Sequence, residues 1–123
     1  MDKNFKSFES LKAWQLARDF KNKVYLISKE FPREELYILT NQIRRSVISI
    51  TANIVEGYGR YNYQENIQFC RMARGSLLET LDHLYTAFDQ KYISQDEFDG
   101  LYGQGREVER CLNGYIRYLN NQK

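Results

Sequence analysis

The sequence predicts an all-α protein, an antiparallel up-down-up-down four-helix bundle forming one domain over residues 1–123. Three observations carry this reading. Apolar residues recur every three or four positions along most of the chain, the segments in which they do so run to roughly 20 to 28 residues between short turns, and nothing reads as a strand. A chain of 123 residues can bury a core without disulfide or metal support. Its 42% hydrophobic and 28% charged residues are spread along the whole length, which argues against disorder and low complexity.

The first helix is predicted over about residues 10–30. Ala13, Ala17, Phe20, Val24, Ile27 and Phe31 follow one another at spacings of four and three and so share one stripe, with lysines and acids opposite. Pro32, the sole proline, interrupts the pattern. A second helix is expected over about residues 34–57, opened by Glu34 and Glu35, which suit the positive end of the helix dipole, and closed by Gly57 as a C-terminal cap.

Leu36, Leu39, Ile43, Val47, Ile50 and Ile54 make the main stripe of this second helix. Its other faces are unusual. Ile48 and Val55 sit more than a quarter turn away, and Ser46, Ser49, Ala52 and Asn53 fill much of the remainder with few of the long charged residues that water favours. The helix is therefore expected to be covered on more than one side, either as the central helix of the bundle or through a subunit interface at Ile48, Ser49, Ala52 and Val55.

Asn62 followed by Glu65 reads as a capping box opening a third helix over about residues 63–91, whose stripe is Cys70, Ala73, Leu77, Leu81, Leu84 and Phe88. The segment Ala73 to Ser76 offers small residues where another helix can approach. Ser94 with Glu97 forms a second capping box, and Phe98, Leu101, Val108, Leu112, Tyr115 and Leu119 carry the period through a fourth helix over about residues 95–121. Gly100, Gly103 and Gly105 weaken its first turns, since a helical glycine costs about 1 kcal/mol relative to alanine.

No apolar run reaches the ~18 residues of a membrane span and the N-terminus lacks a signal-peptide core, so a cytoplasmic protein with no membrane contact is expected. Cys70 and Cys111 lie in apolar helical patterns outside any CxxC or Cys/His cluster and read as reduced core residues. The net charge is only +2, but residues 76–109 carry eight acids against Lys91 and Arg106. The molecule is thus expected to have an acidic side and a basic side.

The stretch from Phe31 to Arg60, followed by Phe69 to Thr80, resembles the four-helix-bundle proteins encoded by intervening sequences in bacterial 23S rRNA genes. The matching positions are Phe31 and Pro32, Glu35 and Tyr37, Gln42 to Arg45, Ser49 and Ile50, Asn53 to Gly57, and Ala73 to Leu77. Upstream, Leu11 to Ala17 matches as well, so the resemblance covers roughly residues 8–85. The chain departs at Ser46, Thr51 and Val55, where the pattern has alanine, often proline, and alanine. That family is similar to the accessory proteins of diversity-generating retroelements, barrel-like homopentamers that bind nucleic acid and a reverse transcriptase. The resemblance implies a homo-oligomer, with a pentamer favoured, and implies nucleic-acid binding only weakly, because those relatives are strongly basic whereas this chain is near neutral.

Five arginines, Arg44, Arg45, Arg60, Arg71 and Arg74, fall within residues 42–74 with Glu56 and Glu65 as the only acids and no lysine. Arginine suits bidentate phosphate contact, and Tyr58, Tyr61 and Tyr63 around Arg60 can stack on the bases of RNA or DNA. The competing reading pairs Arg44 or Arg45 with Glu56 or Glu79 between helices, or leaves Arg60 to complement the end of helix two. The Gly-Tyr-Gly-Arg turn lacks the order and preceding strand of a phosphate-binding loop, and capping accounts for its glycines. His83 is the only histidine and reads as a partly exposed helix residue. Glu79 and Asp82 form an acid/base pair only in principle, so no enzyme activity, catalytic residue, metal or cofactor is expected. Two functions follow, a nucleic-acid-associated oligomer and, alternatively, a structural scaffold that recruits a protein partner.

Overall fold

A computed structural model describes residues 7–122. They form α1 (Lys12–Ser28), α2 (Leu39–Tyr58), α3 (Tyr63–Asp89) and α4 (Gln95–Asn120), with short 3-10 turns at Phe8–Ser10 and Arg33–Glu35. No strand occurs among the described residues, and no helix among them is long and apolar enough to cross a membrane. Each helix packs against its chain neighbours and α1 also packs against α4, so the four enclose one core. Phe20 and Val24 of α1, Ile43, Val47, Ile50 and Ile54 of α2, Cys70, Leu77 and Leu84 of α3, and Val108 and Leu112 of α4 are fully buried there.

The sequence expectation needs correction where helix ends depend on tertiary partners. The α2 helix starts at Leu39 rather than near residue 34, because Arg33–Glu35 forms a separate turn and Ile38 breaks the helical dihedrals with φ −120 and ψ −97. Glu35 still serves the helix, but by hydrogen bonding: one oxygen accepts from the Leu39 amide at 3.3 Å and the other from the Tyr92 hydroxyl at 2.7 Å. Leu36, expected on the core stripe, therefore falls in the turn and is exposed. The α3 helix ends at Asp89 because Lys91 takes φ +66, with the Tyr92 amide donating back to the Ala87 carbonyl at 2.9 Å.

Gly57 does not cap α2. It lies inside the last turn and is buried where α2 meets α3: a β-carbon there would stand 2.7 Å from Asn66 Oδ1 and 2.9 Å from Phe69 Cβ. Close approach, and not chain reversal, sets this residue. Gly105 of α4 is similar, with Leu81 Cδ2 at 2.7 Å and Phe20 Cζ at 3.2 Å from the same imagined atom.

Asn62 caps α3, accepting from the Glu65 amide at 3.0 Å, although Glu65 turns its carboxylate toward Arg60 instead of closing the box. The Ser94–Glu97 box on α4 is complete in both directions. Tyr115 is only half-buried on α4, where the neighbouring Ile116 is the residue that reaches the core. Phe88 and Ile27 are likewise half-buried at the edges of their stripes.

Candidate functional site

Small polar side chains add hydrogen bonds to the apolar α2–α3 contact. The Ser46 and Thr80 hydroxyls lie 2.8 Å apart, Ser76 Oγ donates to Ser49 Oγ at 2.9 Å, and Asn53 Nδ2 donates to both the carbonyl and the hydroxyl of Ser49 at 2.9 Å. Ala73 and Ser76 make the close approach expected of their segment, whereas Gly75 faces open space. Beside this seam Arg45, Ser49, Ser76 and Glu79 border a shallow hollow of about 140 Å³.

The outer face of α2 is open in the single chain. Ile48 is 44% exposed, Ala52 is exposed, and Ser49 and Val55 are half-buried, so the covering predicted for this face is not supplied by α1, α3 or α4. Arg45 stands one turn from Ser49 on the same face. It is exposed and makes no side-chain ion pair or hydrogen bond among the described residues.

The five arginines are not brought to one place. Arg44 turns toward α1, where Nε donates to Ser28 Oγ at 2.9 Å and the guanidinium lies 5.3 Å from the Tyr25 ring centroid. Arg60 pairs with Glu56 at 3.0 Å and Glu65 at 3.8 Å while covering the Phe69 ring. Arg74 reaches α4 and donates to Asn113 Oδ1 at 2.8 Å. Arg71, one turn before Arg74, is exposed and unpartnered among the described residues. Neither interhelical pairing of Arg44 or Arg45 with an acid is formed, because Glu56 is taken by Arg60, and Glu79 lies 3.3 Å from His83.

Sequence reasoning missed a cleft that joins the α2–α3 turn to the end of α4. At the α2–α3 turn a cleft of about 410 Å³ is walled by Tyr58, Tyr61 and Tyr63 and, from the end of α4, by Tyr115 and Tyr118. Asn62 and Asn66 supply its amides, and no carboxylate among the described residues lines it. Asn66 Nδ2 donates to the Tyr115 hydroxyl at 3.1 Å. Burial pushes the Tyr115 phenol above its ordinary pKa, which keeps it neutral, and the Asn66 hydrogen bond opposes this only in part. The sequence signal was the i, i+3 pair Tyr115 and Tyr118, but only the fold sets it opposite residues 58–66.

Cys70 is buried and Cys111 half-buried, both as free thiols. Burial raises both pKa values, that of Cys70 to about 12, so Cys70 is an unreactive core group. Among the described residues no three metal-ligating side chains cluster.

These features define a class, all-helical four-helix proteins whose polar and aromatic groups are displayed on outer faces. Within it, the chain belongs to the 23S rRNA-intervening sequence protein family, which matches residues 9–114 and so extends past the segment that carries the sequence motifs. The fold is similar to the crystal structure of a protein of unknown function from the S23 ribosomal protein family of Bacteroides thetaiotaomicron. That similarity has a TM-score of 0.78 at 22% identity and covers 85% of this chain and 97% of that one. No curated protein matches.

Proposed function

We propose that the chain is a non-enzymatic, cytoplasmic homo-oligomer, with a pentamer favoured, that associates with nucleic acid through exposed arginine and tyrosine. Its helices take the up-down-up-down order, a reading supported by the way rising positions on α2 (Ser46, Ser49, Gly57) meet falling ones on α3 (Thr80, Ser76, Asn66). The observation that carries the oligomer is the open α2 face, where Ile48, Ala52 and Val55 offer apolar and small groups beside an unpartnered Arg45. Arg71 and the tyrosines of the α2–α3 turn are the groups offered to nucleic acid.

The test has two arms. Mass in solution, measured by light scattering for the native chain and for Ala52→Arg, should fall to that of a folded monomer in the variant. Fluorescence anisotropy with a structured RNA and a DNA duplex at two salt concentrations should show binding that weakens steeply with salt. The double variant Arg45→Gln/Arg71→Gln should reduce the logarithmic salt slope by about one for each phosphate that is no longer neutralised. These two residues are chosen because Arg44, Arg60 and Arg74 are engaged within the chain.

That engagement also favours the second reading, a scaffold that recruits a protein. An absence of nucleic-acid binding even at low salt, with the oligomer intact, would select it.

A further inference from the structure

The tyrosine cleft at the α2–α3 turn has more definition than a general stacking surface requires. We propose that it binds a planar nucleobase, taken from single-stranded RNA or DNA or from a free nucleotide, with the rings of Tyr61 and Tyr118 as the principal stacking surfaces. The proposal rests on the nucleic-acid reading above and deepens its tyrosine half, naming the residues and the part of the ligand they hold.

Size comes first. A cleft of about 410 Å³ lies inside the roughly 300 to 1,000 Å³ range of small-molecule sites and has room for a base with its sugar. Shape follows. The Tyr115 and Tyr118 rings are parallel to within 11° with centroids 6.3 Å apart, so a flat ring can lie parallel to both.

The polar chemistry is that of a neutral heteroaromatic edge. The lining offers phenols and the Asn62 amide nitrogen, the Asn62 oxygen being used to cap α3 and Asn66 being held by Tyr115 and Cys70, and among the described residues it contains no charged side chain to favour an ionic ligand. Asn66 is oriented by its bond to Tyr115, and Tyr115 is the one phenol of the cleft with a side-chain partner among the described residues. Beyond the described lining the chain neighbours of Leu11, Asn66 and Tyr118 carry both signs, Lys12, Glu65 and Arg117, and Arg60 beside Tyr61 is already paired with Glu56 and Glu65.

Tyr61 adds an independent observation. It holds φ +56, a left-handed conformation that disfavours a residue with a β-carbon, and its side chain is 91% exposed, so burial does not compensate the strain. The turn keeps a large ring at the mouth of the cleft where water is its only cover.

The experiment compares three probes on the full chain. AMP and ribose 5-phosphate are titrated by calorimetry, and end-labelled single-stranded oligoadenylate of roughly ten nucleotides, a common single-strand site size, is followed by anisotropy. The variants are Tyr61→Ala and Tyr118→Ala, both at exposed side chains, with thermal melts to verify the fold. Binding of AMP that each variant weakens about 10-fold, the loss of one base–aromatic stack, is the expected result.

Oligoadenylate binding more tightly than AMP, with the same dependence on Tyr61 and Tyr118, would identify the single strand as the source. Equal affinities would identify the free nucleotide. Failure of AMP to bind, affinity unchanged in both variants, or ribose 5-phosphate competing as well as AMP would overturn the proposal. The Arg45→Gln/Arg71→Gln chain separates the two readings. If it loses duplex binding while AMP never binds, the cleft is wrong and the arginine surface stands; if AMP binds in a tyrosine-dependent way while duplex binding is absent, the arginine surface is wrong and the cleft stands.

Discussion

Replacing Gly57 with alanine should destabilise the bundle, while the same replacement at Gly75 should stabilise it. Both glycines are helical, and in an open helix interior the added methyl is worth about 1 kcal/mol. At Gly75 nothing lies within 4 Å of the new β-carbon, so that gain is realised almost in full. At Gly57 the methyl meets Asn66 Oδ1 at 2.7 Å, Phe69 Cβ at 2.9 Å and the Asn66 carbonyl at 3.1 Å.

Those neighbours cannot give way cheaply. Asn66 is 7% exposed and is tied through Nδ2 to Tyr115 and through Oδ1 to the Cys70 thiol at 3.5 Å. The Phe69 β-carbon moves only if α3 moves. Overpacking of this kind costs about 1–3 kcal/mol, which exceeds a propensity gain already reduced in the last turn of α2. The net expectation is a loss of about 1–2 kcal/mol at Gly57 against a gain of about 1 at Gly75. For a domain of this size that means melting temperatures displaced by about 4 °C or more in opposite directions.

Gly105→Ala should fall between the two, because its closest contact is the far end of the Leu81 side chain, which can rotate at about 0.5–1.5 kcal/mol. Urea unfolding followed by circular dichroism at one fixed protein concentration measures all three. A Gly57→Ala chain stabilised as much as Gly75→Ala would refute the close-approach account.

Ile50→Asp should leave the chain unfolded, since Ile50 has no exposure and an unpartnered carboxylate in the core costs several kcal/mol; unchanged circular dichroism and mass would show that the core face is misplaced. Ile48→Asp, at a side chain 44% exposed, should keep the helical spectrum of the native chain while lowering its mass in solution. Stability should fall on the alkaline side. Below about pH 9 the Cys70 thiol is neutral in both states, whereas above it the unfolded chain ionises and the folded chain holds its proton to about pH 12. The loss is about 1.4 kcal/mol one unit above the ordinary thiol value, and a urea midpoint that declines no more steeply with pH than that of Cys70→Ala would contradict it.

The core was legible in the sequence because its periodicity is local. Phe20, Val24, Ile43, Val47, Ile50, Ile54, Leu77 and Leu112 were all assigned to stripes from three-and-four spacing and are all buried. What escaped depends on partners distant in the chain. Glu35 looks like a dipole acid until Tyr92, 57 residues away, is seen to hold its second oxygen. Gly57 looks like a cap until Asn66 and Phe69 are set against it. The arginines share a short stretch of sequence, but rotation along α2 and α3 sends Arg44 to Ser28 and Arg74 to Asn113, each across an interhelical contact that composition does not encode. The tyrosine cleft joins residues 58–66 to residues 115–119, so only half of it lay in the motif that drew attention.

The polar α2–α3 seam connects these features. An apolar interface tolerates sliding, because one methyl group replaces another with little loss. Here a slip of one helical turn would break the Ser46–Thr80 and Ser49–Ser76 hydrogen bonds together and drive Gly57 away from its contact with Asn66. Register between α2 and α3 is thereby held by directional bonds as well as by packing. Both proposed surfaces are mounted on this pair, the subunit face along the outside of α2 and the tyrosines at the turn that joins it to α3. A recognition surface works best when its groups are positioned before the ligand arrives. The serines that look like missing charge on the face of α2, with Asn53 orienting Ser49 from within the same helix, hold Arg45, Ile48 and the tyrosine cleft in fixed relation to one another.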